Sequence, residues 1–305
     1  MDMLRAHEFS TPTRLQLLES AVWQPAGIRV FMKREDARDA VLGGNKWCKL
    51  AGHLEAAAAA GQRRLVSVGG LWSNHLHALA HAGQRFGFAT VGIVRGEAVA
   101  MTDMLREAQA AGMALEFVSR SEFRERHDTE WQQTLEQRFG PCRFIPEGGA
   151  GEASLPGLKQ LADELAQQID GPVLLALPVG SGTTLAGLRR FLPSRFTLWG
   201  FQSFADKTLA HRIGHALADD EFGAWHLQDT DAMRSHRELP VALQDFCRDF
   251  ERAENIALDP VYTLRMMARL QALLSEGRVP AGTTVVALHT GGLQGRRGHG
   301  LALAA

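Results

Sequence analysis

Lys46 follows two glycines and an asparagine in Gly43-Gly44-Asn45-Lys46, a setting that suits a lysine meant for covalent work. Its amine must shed a proton near neutral pH before it can attack a carbonyl, and burial and a neighbouring positive charge both encourage that loss. Gly43 and Gly44 let a ligand approach the main chain where a β-carbon would stand in the way. Lys49, one helical turn on, shares the face of Lys46 and supplies either that charge or an anion contact. Lys46 therefore reads as a Schiff-base lysine, the plain alternative being an exposed lysine after an ordinary Gly-Gly-Asn turn.

Four further stretches carry side chains suited to the same chemistry. Ser67 to His75 reads SVGGLWSNH, with Ser73 placed to cap a helix whose free first-turn amides would receive a carboxylate. Pro178 to Thr184 reads PVGSGTT, where Gly180, Ser181, Gly182, Thr183 and Thr184 offer amides and hydroxyls that converge as a phosphate cradle. It matches neither G-x-G-x-x-G nor G-x-x-x-x-G-K-[ST], which leaves a phosphate-bearing cofactor rather than a dinucleotide or nucleoside triphosphate. Thr290 in HTGG stands at the carboxyl end of a strand, where open α/β sheets bind ligands. Tyr262, the only tyrosine, is a candidate for orienting substrate or moving a proton, against a half-buried packing role. His77 and His81 lie one turn apart, but no carboxylate or cysteine joins them in the sequence, so no metal is expected.

The elements that must position these groups alternate regularly. Strands are expected at Ile28–Lys33, Arg64–Val68, Thr90–Arg95, Ala114–Val118, Arg143–Pro146, Val173–Leu177, Arg195–Phe201 and Thr284–Leu288. Helices are expected at Trp47–Ala60, Asn74–Phe86, Thr102–Ala111, Ser121–Arg138, Leu158–Gln168, Thr184–Phe191, Lys207–Ala218, Leu243–Arg252 and Leu264–Ser275. That order implies βαβ units and parallel sheets in two α/β series, broken at the glycine-rich Glu147–Ser154. The stretch from Gly200 to Pro240 is polar and weakly periodic.

Composition narrows the partners. The 305 residues are 45% hydrophobic, enough for two lobes, and 33 basic against 34 acidic residues leave a net charge of −1, with no electrostatic footprint for nucleic acid or an anionic membrane. A small molecule is the expected partner. Three scattered cysteines argue for a reducing, cytoplasmic setting, and neither a signal peptide nor a membrane span is expected.

Taken in order, KREDARDAVLGGNKWCKL, SVGGLWSNH, ALPVGSGTTLAGL, LDPVYT and ALHTGG resemble the pyridoxal-phosphate enzymes of the 1-aminocyclopropane-1-carboxylate deaminase and D-cysteine desulfhydrase family. The resemblance is collinear from Lys33 to Gly292. It implies the fold type II, tryptophan synthase β-like architecture: two open three-layer α/β/α lobes with pyridoxal 5'-phosphate in the cleft between them. Residues 1–48 and 151–305 would form a discontinuous large domain, and 49–150 a small inserted one. By matching motif, Lys46 would link to the cofactor, Gly180 to Thr184 would cradle its phosphate with Lys49 assisting, Asn74 would bond its 3-hydroxyl, and Thr290 would meet its ring nitrogen. Ser73, Asn74 and His75 would face the substrate, with Ser73 and Tyr262 in catalytic roles. The implied reaction converts a small amino acid to a 2-oxo acid and ammonia, and a racemase, a serine/threonine dehydratase or a binding protein without turnover are the alternatives. The second active-site tyrosine of the deaminases has no counterpart, and His75 stands where they carry glutamine; both place D-cysteine-like substrates ahead of 1-aminocyclopropane-1-carboxylate. Members of the family often form dimers, so a homodimer is the expected assembly.

Overall fold

The computed structural model describes residues 11–96, 101–217, 223–230 and 239–301, the side chain of Glu136 excepted. Along the chain come β1 (Leu15–Leu17), β2 (Arg29–Arg34), α1 (Asn45–Ala59), β3 (Arg64–Gly70), α2 (Asn74–Phe86), β4 (Ala89–Arg95) and α3 (Asp103–Ala110). Next are β5 (Met113–Val118), α4 (Arg120–Arg124), α5 (Thr129–Phe139), β6 (Arg143–Ile145), α6 (Leu155–Gln168), β7 (Val173–Val179) and α7 (Thr183–Phe191). The chain continues with β8 (Phe196–Gln202), α8 (Leu209–Leu217), β9 (Trp225–Gln228), α9 (Val241–Glu254), α10 (Thr263–Ser275) and β10 (Thr284–His289). They belong to two compact units: Asp39–Leu42 and Lys46–Gly157 in the first, Pro12–Arg38, Gly43–Asn45 and Leu158–Ala305 in the second.

The first unit is built on a four-stranded parallel sheet in the order β5-β4-β3-β6. Successive strand residues face opposite ways, so β3 splits its side chains between two layers. Leu65 packs with Trp47, Leu50 and Leu54 of α1 and Leu76 and Leu79 of α2. Val66 and Val68 pack with Phe123 of α4 and Leu135 of α5. Ser67, two residues from Leu65, therefore turns toward α2. That helix is bounded by its own sequence: Ser73 caps its start, accepting from the Leu76 amide, and Gly87 ends it with φ 73°.

The second unit carries a six-stranded sheet in the order β1-β2-β10-β7-β8-β9, parallel except for the edge strand β1. All seven residues of β7 are buried, as expected of a central parallel strand covered on both faces. Val30, Met32, Val285 and Ala287 pack under Leu264, Met267 and Leu270 of α10 and Phe250 of α9. On the opposite face of β2, the Lys33 ammonium meets Glu164 of α6, the Thr13 carbonyl and Gln168, each at 2.9 Å. Arg38 completes this buried group by pairing with Glu35 at 2.8 Å and Glu164 at 2.7 Å.

Two expectations change. The charged run from Ser121 to Arg138 is two helices, because Asp128 adopts an extended conformation and takes the amides of Glu130 and Trp131, starting a new helix within the run. Strands β1 and β9, short pieces at the sheet edges, were not expected. Ala218, the expected end of α8, and much of the polar stretch after it lie outside the described residues. Among the described residues no helix is long and apolar enough to cross a membrane.

Candidate active site

In the first unit basic groups gather, and no carboxylate is among the groups that shift Lys49, His53 or His75. Lys46 is half-buried near the start of α1, and Lys49 is buried one turn on. Burial, and then the charge of Lys46, hold the Lys49 ammonium well below the usual lysine range, while the Cys48 thiol pulls it the other way. His53 is pushed down to about 4, by burial first and then by Arg143. His75 is also driven well below the ordinary histidine range, by burial and then by Lys49, Lys46 and His53, so its ring is neutral at pH 7.

The tautomer of His75 follows from Ser67. The Ser67 hydroxyl has one proton, which goes to the Ile145 carbonyl at 2.6 Å. Its oxygen must then accept from His75 Nε2–H, 2.8 Å away. Nδ1 is left as a bare lone pair, buried and without a partner. The His75 side chain therefore has no N–H left to offer a carboxylate, and any donation from this residue comes from its backbone amide. The donors available at this end of α2 are the Ser73 hydroxyl proton and the first-turn amides of Asn74 and His75, which have no intrahelical acceptor. The Asn74 side-chain oxygen is also buried and unpartnered.

In the second unit the turn after β7 leads directly into α7. No acceptor among the described residues takes the amides of Ser181, Gly182, Thr183 and Thr184, and the Ser181 and Thr183 hydroxyls lie 3.0 Å apart. A β-carbon on Gly180 would come 3.2 Å from Tyr262 Cε1, so the phenol flanks this turn. Tyr262 is aimed by Asp259, a buried carboxylate that accepts the amides of Val261, Tyr262 and Thr263 at the start of α10. Its ring meets Phe204 edge-on at 5.8 Å.

Asn45, the residue before Lys46, ties two of these pieces together. Its side-chain amide donates to Thr184 Oγ1 at 2.9 Å, and its backbone N–H reaches the Thr290 carbonyl at 3.3 Å. Gly44 makes this approach possible: its φ is 85°, and a β-carbon there would strike the Thr290 carbonyl. Thr290 is buried, and its hydroxyl makes no hydrogen bond among the described residues. Lys46, Lys49, Ser73, Asn74 and His75 thus belong to one unit, and Gly180 to Thr184, Tyr262 and Thr290 to the other.

Sequence reasoning missed Ser67, Asn45, Asp259 and Phe204. Asp259 had a legible signal, an aspartate capping a helix start, and Phe204 follows the carboxyl end of a parallel strand. A carboxylate does join the histidines of α2: Glu107 bonds His77 Nε2 at 3.0 Å, with the His81 ring 4.5 Å from that of His77. Among the described residues no group of three or more histidine, cysteine or acidic side chains is arranged to hold a metal ion.

Comparison with known proteins follows the same lines. The family model described as "Pyridoxal-phosphate dependent enzyme" matches residues 5–291. A putative 1-aminocyclopropane-1-carboxylate deaminase of Thermotoga maritima is 26% identical over 302 residues, covering 93% of this chain and 95% of the relative. D-cysteine desulfhydrase of Salmonella paratyphi A is 27% identical over 310 residues, covering 94% of each. Nocardicin C-9' epimerase of Nocardia uniformis is 37% identical over 193 residues, which is 59% of this chain and 56% of that protein. The crystal structure of an ACC deaminase homologue superposes with a TM-score of 0.82 at 23% identity, over 95% of this chain and 92% of that one.

Proposed function

The chain belongs to the pyridoxal-phosphate dependent enzyme family, in the group of the 1-aminocyclopropane-1-carboxylate deaminases and D-cysteine desulfhydrases, and from that premise we propose a lyase that releases ammonia and a 2-oxo acid from a small amino acid. D-cysteine-like substrates come first, 1-aminocyclopropane-1-carboxylate second. The observation that carries the reading is that Lys49, His53 and His75 are all held toward their neutral forms by burial and neighbouring bases, with no carboxylate among the groups that shift them, a setting that fits an anionic cofactor and an anionic substrate.

The residues present fit pyridoxal phosphate. The uncommitted amides of Ser181 to Thr184 suit its phosphate, the unpartnered Thr290 hydroxyl its ring nitrogen, and Asn74 its 3-hydroxyl. When bound, the cofactor supplies a carbonyl for an amine to capture and a conjugated ring that stabilises negative charge at the substrate Cα. Lys46 would hold the cofactor until the substrate amine displaces it, and its freed amine would then take the Cα proton. Ser73 and the first-turn amides of α2 would fix the substrate carboxylate. Thr290, a neutral hydroxyl, does not protonate the ring nitrogen, which disfavours transamination and suits elimination. Tyr262, braced by Phe204 and Asp259, would orient the substrate or move a proton.

The test is to incubate the purified holoenzyme with D-cysteine, 1-aminocyclopropane-1-carboxylate and a panel of D- and L-amino acids, assaying ammonia and 2-oxo acid. Release of both with one of them supports the lyase. A second reading, an epimerase or racemase, is favoured by the 37% identity to an epimerase over part of the chain. It predicts inversion at Cα with no ammonia, and that outcome would replace the lyase.

A further inference from the structure

We propose that His289 is a positioning residue: it fixes the Thr290–Gly291 backbone so that the Thr290 hydroxyl meets the cofactor's ring nitrogen. The inference rests on the reading of Thr290 given above. His289 ends β10 and is fully buried. Its Nε2 lies 2.7 Å from the Ala257 carbonyl, which can only accept, so the proton is on Nε2. The Gly291 N–H points at Nδ1 from 3.2 Å, so Nδ1 carries the lone pair. Both ends of a neutral ring are thereby used, and the ring spans from the Ala257 carbonyl to the turn after β10.

Asp36 Oδ1 lies 3.7 Å from Nδ1, but that carboxylate is held by Arg34, through Nε at 2.9 Å and a terminal nitrogen at 2.7 Å. It leaves the imidazole free to accept from Gly291. The peptide joining Thr290 to Gly291 is consequently gripped on both sides: its oxygen takes the Asn45 amide, and its N–H gives to His289. The grip matters because the turn runs on through Gly291 at φ 72° and Gly292 at φ 88°, residues with more backbone freedom than any others. Without the Nδ1 acceptor, the backbone that aims Thr290 would be held from one side only.

Two substitutions divide the ring's functions. In His289→Asn, the side-chain oxygen replaces Nδ1 and still accepts from Gly291, but the side chain no longer reaches Ala257. In His289→Gln, the side-chain amide reaches Ala257 and Gly291 loses its acceptor. Each loses one hydrogen bond and part of the packing, so a purely structural role predicts equal effects. The full-length apoprotein of wild type, both variants and Thr290→Val is titrated with pyridoxal phosphate, reading Kd and the absorption maximum. His289→Gln and Thr290→Val are expected to weaken binding about 5- to 10-fold, the worth of one lost hydrogen bond, and to shift the band in the same direction. His289→Asn should stay near wild type. Equal Kd values and bands for the two His289 variants overturn the proposal.

If Thr290→Val leaves both readouts unchanged, the reading of Thr290 falls and the proposal with it. If Thr290→Val weakens binding and His289→Gln does not, the proposal alone falls. Nitrogen-15 NMR of histidine-labelled wild-type protein needs no variant to fold: a bare Nδ1 and protonated Nε2 at His289 are expected, and the opposite tautomer refutes the clamp.

Discussion

Replacing Lys33 by methionine removes a buried cation whose neighbours cannot reach water. Lys33 and Glu35 are fully buried and Glu164 is 6% exposed, and together with Arg38 they carry two positive and two negative charges. Lys33→Met leaves one uncompensated carboxylate and strips a hydrogen bond from the Thr13 carbonyl, Glu164 and Gln168. Breaking one side of a buried ion pair costs about 3–5 kcal/mol. At about 2–4 °C per kcal/mol for a chain of this order of size, the melting temperature should fall by roughly 6–20 °C. Charge, rather than shape, is the cause assigned, so Lys33→Met/Glu164→Gln, which restores neutrality, should recover a substantial part of the loss. Urea midpoints of wild type, both single variants and the double variant measure the coupling directly. A loss below about 1 kcal/mol in Lys33→Met, or strictly additive effects in the double variant, would refute the reasoning.

Gly44→Ala should cost about 2–5 kcal/mol, from left-handed strain together with overpacking against the Thr290 carbonyl. Gly61→Ala, at φ 68° with nothing near its added methyl, should lose only the strain, and equal urea midpoints for the two would contradict the close approach. His53 makes stability depend on pH. Its folded value of about 4 lies below the ordinary 6.5, so in that window the unfolded chain binds more protons. Stability should therefore be intact above about pH 6.5 and fall by about 3 kcal/mol as pH drops toward 4; an unchanged slope in His53→Phe would exclude this histidine as the source.

The strand and helix alternation was legible because each element carries its period and its stops. Helix α2 runs from Asn74 to Phe86 as expected, since Ser73 and Gly87 mark its ends within the local sequence. The fold and the family were legible for a related reason, five motifs lying in one order along the chain. The break at Asp128 was not, because an aspartate in a charged helical run looks like any other surface acid until its backbone is seen to be extended. The three residues of β1 are too few to show a period, and only pairing with β2 makes them a strand.

Among the candidate site residues, the sequence offers types and spacings but not protonation. The motif does not say which nitrogen of His75 carries the proton; that follows only because Ser67, eight residues earlier, has spent its own proton on Ile145. The partnership of Lys33 with Glu164 spans 131 positions, and that of His77 with Glu107 spans 30. No local pattern encodes such pairs.

The central claim is that Lys46 holds the cofactor covalently. The most direct test is to reduce the pyridoxal phosphate-loaded protein with borohydride, digest it, and locate the pyridoxyl group by mass spectrometry. The account predicts a single modified lysine, Lys46, with the modification absent from Lys46→Ala. Modification at Lys49 or elsewhere, or a fully loaded protein that yields no modified lysine, would contradict it.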